Sequence, residues 1–268
     1  DINSAISLSQ QALHNLDSQH LNNPEKVELL YLLAVAKRSK GQISDATETI
    51  KSLLAIAPNY ARAHQENGYL CLKTGNKRNA VTAFAKATRH NPALLSSWQK
   101  LISLYTELNH VEGLKLATEN VSYLKQLPAE ILGARDLMNE GKLAIADTVC
   151  RRFLQQHKHH AEAMLLLAEI GMALKLYHEA EFLLESCVEI HPTHQDARAK
   201  FVQLLSKLGK FNQAKQQSEW LLNAHPNQHQ YLAAKASAMV GIGDIEAAIA
   251  LYQHIISERN DRPSIQLL

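Results

Sequence analysis

Cysteine is scarce in this chain, and its three copies, Cys71, Cys150 and Cys187, are odd in number and far apart, which excludes a disulfide framework and argues for reduced core thiols. Aromatic residues are also few, at 6%, so the sequence carries little of what strands are made from. Neither sign of charge dominates: 28 basic against 26 acidic residues leave +2, and net charge gives no footprint of a nucleic-acid binder. Long apolar runs are missing. The most apolar stretch, "AMLLLAEIGMALKL" at 163–176, is interrupted by Glu169 well short of a membrane span. With no secretory signal at the start, a cytoplasmic location and no membrane span are expected. HExxH, CxxC and GxSxG do not occur, so the common signatures of a zinc protease, a redox pair and a nucleophile elbow are absent.

Glycine and proline are sparse too, but they are placed with a period. Gly41, Gly75, Asn109, Gly141, Lys175, Gly209 and Gly243 follow one another at spacings of 34, 34, 32, 34, 34 and 34 residues. Five residues after each stand Ala46, Ala80, Leu114, Ala146, Ala180, Ala214 and Ala248, and seventeen after four of them stand Pro58, Pro92, Pro192 and Pro226. Between markers the apolar residues keep a helical period, as in "VELLYLLAVAKRSKG" and "ISDATETIKSLLAIAP". Each repeat therefore reads as a helical hairpin. Glycine past the first helix accepts the left-handed turn, a small alanine lets the second helix approach, and proline stops it. A lone hairpin leaves its apolar face bare, so the repeats must stack.

The array resembles tetratricopeptide repeats. Gly68, Gly75, Ala80, Phe84, Ala87 and Pro92 stand at that family's offsets, and Trp98, Leu101 and Tyr105 follow in the next repeat. The resemblance implies an all-α fold, a right-handed α-solenoid of about seven stacked helix-turn-helix repeats with half units at both ends. The repeats fall at about 25–58, 59–92, 93–126, 127–160, 161–194, 195–228 and 229–262. Residues 1–20 read as a second helix without its first, and 263–268 as the start of a further first helix, so the array is expected to continue in a longer protein. Near 109–128 the turn residue, the alanine and the proline all change and the spacing shortens, while Pro128 opens the next helix. This is either a seam with an altered inter-repeat angle or ordinary drift of the repeat.

Several local patterns reduce to the repeat. Gly75-Asn76-Lys77 lacks the earlier Gly and following Ser or Thr of a phosphate loop, and "GIGD" at 241–244 has no strand before it. "HKHH" at 157–160 falls at a junction between repeats, as do His191, His194, His225 and His229, where ligands would not share one helical face. No metal or other cofactor is expected.

Two surfaces remain as candidates. Lys37, Arg38 and Lys40, then Lys77 and Arg78, with Lys73, Lys86 and Arg89 near them, gather at the turns of the first two full repeats and form a basic edge. Aromatic residues for base stacking do not alternate with them, so a solvated face is favoured and no nucleic-acid partner is expected. The family's usual ligand site is the groove lined by the first helices. Carried over by register, it comprises Arg62, Gln65, Tyr69, Leu72 and Lys73, then Ser96, Gln99, Ser103 and Thr106, then Ile131, Arg135, Met138, Leu165, Glu169 and Met172. Met138, Leu165 and Met172 serve equally well as an apolar floor or as core between repeats. The pairs one turn apart, Tyr31 and Val35, Gln65 and Tyr69, Gln99 and Ser103, are not the Lys and Asn with which chaperone-tail binders of the family hold a terminal carboxylate.

The resemblance implies a protein-interaction scaffold without catalysis of its own, whose partner is a protein, a peptide, or a C-terminal domain of the same chain. A second resemblance implies an alternative. "NPALLSSWQKLISLY" and the stretch from "GKLAIADTVCRRF" to "EIHP" are similar to arrays that precede a bacterial sulfotransferase domain. On that reading the chain is the regulatory or acceptor-presenting arm of an enzyme whose catalytic domain lies beyond Leu268.

Overall fold

The structure, a computed structural model, describes residues 6–8, 11–13 and 24–260. Most of the half unit expected at 1–20, and all of the truncated one at 263–268, lie outside the described residues. Among the described residues from 24 to 260 there are fourteen helices: α1 (Pro24–Ser39), α2 (Ile43–Ile56), α3 (Ala61–Lys73), α4 (Lys77–His90), α5 (Leu95–Glu107), α6 (Val111–Gln126) and α7 (Ala129–Asn139). They continue as α8 (Leu143–Gln156), α9 (Ala161–Ala173), α10 (Tyr177–Ile190), α11 (Gln195–Lys207), α12 (Phe211–Ala224), α13 (His229–Ile242) and α14 (Ile245–Asn260). Residues 6–8 and 11–13 are helical as well. The fold is an all-α stack of tetratricopeptide-type hairpins, with no strand among the described residues. Nor is any described helix long and apolar enough to cross a membrane.

The turn inside each hairpin is made the same way seven times. The marker residues all have positive φ: Gly41 83°, Gly75 75°, Asn109 53°, Gly141 78°, Lys175 64°, Gly209 72° and Gly243 94°. In each, the marker N–H donates to the carbonyl three residues back, and the next N–H donates to the carbonyl five residues before it. Gly41 to Arg38 at 3.0 Å and Gln42 to Lys37 at 2.9 Å are one such pair. This double closure satisfies the last carbonyls of the first helix and turns the chain sharply into the second. The alanines five residues on, Ala46, Ala80, Ala146, Ala180, Ala214 and Ala248, are all 0% exposed, as a close helix pair requires. In the third repeat Leu114 is only half-buried, and the close approach falls on its neighbour Gly113, against the Tyr105 ring.

Two compact units make up the chain, residues 1–142 and 143–268. The first stacks α1–α2, α3–α4 and α5–α6 and ends with α7. Its core runs from Leu30, Ile50 and Leu53 through Phe84 to Trp98, Leu101 and Leu124. Only Leu127 and Pro128 separate α6 from α7, with Pro128 as the residue before the first turn. The second unit stacks α9 to α14 on α8 around Leu184, Cys187, Phe201, Leu204 and Leu221.

Candidate functional site

In the first unit, first helices α3 and α5 present one face, and α7 meets it. Arg62, second residue of α3, stands at the centre. Its Nη2 donates to Asp136 Oδ2 at 2.6 Å and its Nε to Glu140 Oε1. The second oxygen of Asp136 accepts from Asn91 Nδ2 at 2.6 Å, and Asn139 Nδ2 donates to Asn91 Oδ1 at 3.1 Å. Asn91 is fully buried and is oriented by the Ala93 N–H, which donates to its Oδ1 at 3.0 Å. Lys142 Nζ closes the chain of charges on Glu140 Oε2 at 2.9 Å.

The electrostatics follow from this geometry. Burial alone would lower the Arg62 pKa, but the bonds to Glu140 and the charge of Asp136 raise it, so Arg62 remains a cation. Burial pushes Glu140 upward, and the contacts with Lys142 and Arg62 outweigh it, leaving its carboxyl below the ordinary range. Tyr31 and Tyr60, edge to face at 5.8 Å beside this cluster, are both pushed up, chiefly by burial. Three clefts flank α7 and its turn. One of about 460 Å3 lies among Arg62, Gln65, Gln99 and Asp136. A second, of about 300 Å3, lies where Asn139 and Glu140 meet Tyr60 and Arg62, and a third, of about 480 Å3, lies where Glu140 and Lys142 meet Tyr60 and the start of α1.

The residues carried over by register fall into distinct settings. Lys73, Ser96, Gln99, Ser103 and Thr106 are exposed, Tyr69 and Leu72 half-buried. Gln65 is buried and donates to Ser96 Oγ at 3.0 Å and Ser97 Oγ at 2.7 Å. Ile131 and Leu165, at 0% and 4% exposed, are core side chains, so neither is floor. Arg135, Met138 and Met172 are half-buried, and Glu169 pairs with Lys200 at 3.1 Å. Of the groove set, Arg62, Gln65, Ser96 and Gln99 share one cleft.

Much of the basic edge is already compensated. Arg38 pairs with Glu66 at 2.5 Å and lies 5.2 Å over the Tyr69 ring, Lys77 pairs with Glu107 at 2.6 Å, and Lys37 donates to Thr49 Oγ1 at 2.9 Å. Lys40 and Arg78 are exposed.

Three histidines, His110 inside a hairpin and His160 and His194 at junctions between repeats, have a local task. His110, His160 and His194 each accept a backbone N–H at Nδ1, from Gly113, Ala163 and Ala197 at 2.9, 3.3 and 3.2 Å, and so cap α6, α9 and α11. Sequence reasoning missed this, because histidine is not among the usual capping residues. It also missed Asn91, Asp136, Asn139 and Glu140. The available signal was an Asn before Pro92, where the corresponding residues of other repeats are Ala57, His191 and His225.

Residues 131–193 and 171–238 match two family models, each described as a tetratricopeptide repeat. Among solved structures, the chain is similar to "Crystal structure of MamA protein" at 14% identity and a TM-score of 0.43, over 79% of this chain and 98% of that one. It is similar to "PilW, widely conserved type IV pilus biogenesis factor" at 13% and 0.46, over 77% and 96%. A third is "MamA 41-end from Desulfovibrio magneticus RS-1", at 16% and 0.44, over 77% and 98%. No curated protein matches the chain. The resemblance to arrays preceding sulfotransferase domains finds no support in these matches. Given the period near 34 residues, the seven identical turns and the two family models that match within residues 131–238, the hairpins are of tetratricopeptide-repeat type.

Proposed function

We propose that the chain is a protein-interaction scaffold that takes a segment of a partner polypeptide along the first-helix face of its first unit. The observation that carries this reading is the exposed stretch of Lys73, Gln99, Ser103 and Thr106, with Tyr69 and Leu72 half-buried near them. Polar side chains, two of them short, on a helical stack form a surface whose backbone is set before binding, which lowers the ordering cost of association. Aromatic and aliphatic side chains beside them supply the anchors from which most binding energy comes.

A photoreactive residue at Gln99 or Ser103, in cells of the source organism, is expected to give one discrete protein adduct. The same residue at Glu119, exposed on second helix α6, is expected to give none. Equal adducts from both faces, or none from either, would overturn the reading. Lys73→Glu should reduce the adduct while leaving the thermal melt within about 1 °C of the parent, since surface substitutions usually change stability little.

A further inference from the structure

Contacts between neighbouring repeats in this chain join residues about 30 apart, as in Arg38 with Glu66 and Gln65 with Ser96. The contacts of α7 do not follow that rule. Arg62 reaches Asp136 and Glu140 across 74 and 78 residues, skipping the third repeat, and Asn91 reaches Asp136 and Asn139 across 45 and 48. A first helix of the fourth repeat thus touches the first helix of the second. It does so on the face where the register places ligand-facing residues.

The receiving side chains are built for this contact. Arg62 spends two different nitrogens on two carboxylates that stand four residues apart, which is one helical turn. Asn91, fully buried and held by the Ala93 N–H, takes the remaining oxygen of Asp136. The two carboxylates and the one amide that α7 and its last turn offer here, Asp136, Glu140 and Asn139, all meet donors or acceptors of the receiving side. Ile131 and Ala134 anchor the helix in the core, while open clefts of about 300, 460 and 480 Å3 border the polar contact of its last turn. The last turn of α7 is therefore held by charge and direction, and the earlier turns by packing.

We infer that α7 is the resident ligand of the first unit, and that this face recognises an acidic helix presenting two carboxylates one turn apart. A partner helix with that pattern recovers the same bonds from Arg62 and Asn91, so it can replace the C-terminal turn of α7 at little loss of polar contact. The partner is a protein segment of Asp and Glu at i and i+4, opposite in sign to Arg62. The inference rests on the scaffold reading and names its ligand.

The test uses the full chain and a labelled peptide of residues 129–140, AEILGARDLMNE, with blocked ends. In the parent chain α7 competes, and binding by fluorescence anisotropy is expected to be weak. In the double variant Asp136→Asn, Glu140→Gln the last turn of α7 loses its hold on Arg62, and the peptide should bind at least about tenfold tighter, the gain expected when an occupying segment stops competing. Adding Arg62→Gln to that variant should abolish the gain, and a peptide with the same two carboxylates neutralised should not bind. Binding should weaken steeply with salt. If the double variant fails to fold by circular dichroism, Glu140→Gln alone serves, with a smaller gain. Equal binding to parent and opened chains, or binding indifferent to Arg62, overturns the inference. Should the peptide fail while the Gln99 adduct persists, the resident-ligand inference falls and the scaffold reading stands. Loss of the adduct while the peptide still binds overturns the scaffold reading and with it the use of this face by a partner helix, leaving the α7 contact as an internal one only.

Discussion

Lys175 holds a φ of 64° where five other repeats use glycine, and its Cβ crowds the following carbonyl there. Relief of about 1–2 kcal/mol of backbone strain, less the extra unfolded freedom of glycine, should make Lys175→Gly stabilising by about 0.5–1 kcal/mol. A thermal melt of the variant checks it, and a lowered Tm would show that the Lys175 side chain contributes more than its backbone costs. Two other positions separate packing from conformation. A Cβ at Gly68 would lie 2.7 Å from the Phe84 ring, which is 0% exposed and has nowhere to move. Gly68→Ala should cost about 1–3 kcal/mol. A Cβ at Gly171 meets the Ala180 Cβ at 3.5 Å, an ordinary contact. There the helical preference of alanine wins, and Gly171→Ala should stabilise by about 0.5–1 kcal/mol. If both variants moved the melt the same way, the distances to Phe84 and Ala180 would not be what decides.

Docking of helix α7 depends on pH through Glu140 at its end. The folded pKa of Glu140 lies below its ordinary value of 4.5, because Lys142 and Arg62 outweigh its burial. A depressed carboxylate contributes stability that is complete above the unfolded pKa and is lost as pH falls through the folded one. Docking of α7 should therefore be indifferent to pH from neutrality down to about 4.5 and weaken below it. Urea titrations at several pH values test this: Glu140→Gln should cost about 1–3 kcal/mol at neutral pH, as for a buried hydrogen bond left without its charge, and the gap to the parent should narrow in acid. A gap of constant size would place the cost elsewhere than in the ion pair. What could be read along the chain ends near this point. Turn residues, small alanines and stopping prolines are local requirements, so a period exposes them, and even the departures at Asn109 and Lys175 keep the left-handed turn. Depth is different. Register places Gln65, Ile131 and Leu165 toward the first-helix face, yet neighbouring helices cover all three. The partnership of Arg62 with Asp136 and Glu140 was not legible, because no periodicity states which side chains meet across three helices.

At the scale of the molecule, each compact unit holds one of the two tryptophans. Trp98 is 9% exposed in the first, its Nε1 donating to the Pro92 carbonyl at 2.9 Å, and Trp220 in the second lies 3.9 Å beneath the Arg198 guanidinium. Stacked repeats gain stability from their own hairpins and from their neighbours, so a local loss spreads only as far as the interfaces carry it. Arg62, Asp136 and Glu140 all lie in the first unit, and removing the Arg62 cation leaves Glu140, whose side chain is 7% exposed, without its guanidinium. In single-tryptophan chains made by Trp220→Phe or Trp98→Phe, Arg62→Ala should shift the urea midpoint reported by Trp98 and leave that reported by Trp220 in place. The shift should correspond to about 1–3 kcal/mol, the cost of leaving a buried charged group without one partner. Midpoints that move together by the same amount would mean that the two units unfold as one cooperative body, and the energy of the α7 contact would then belong to the whole array.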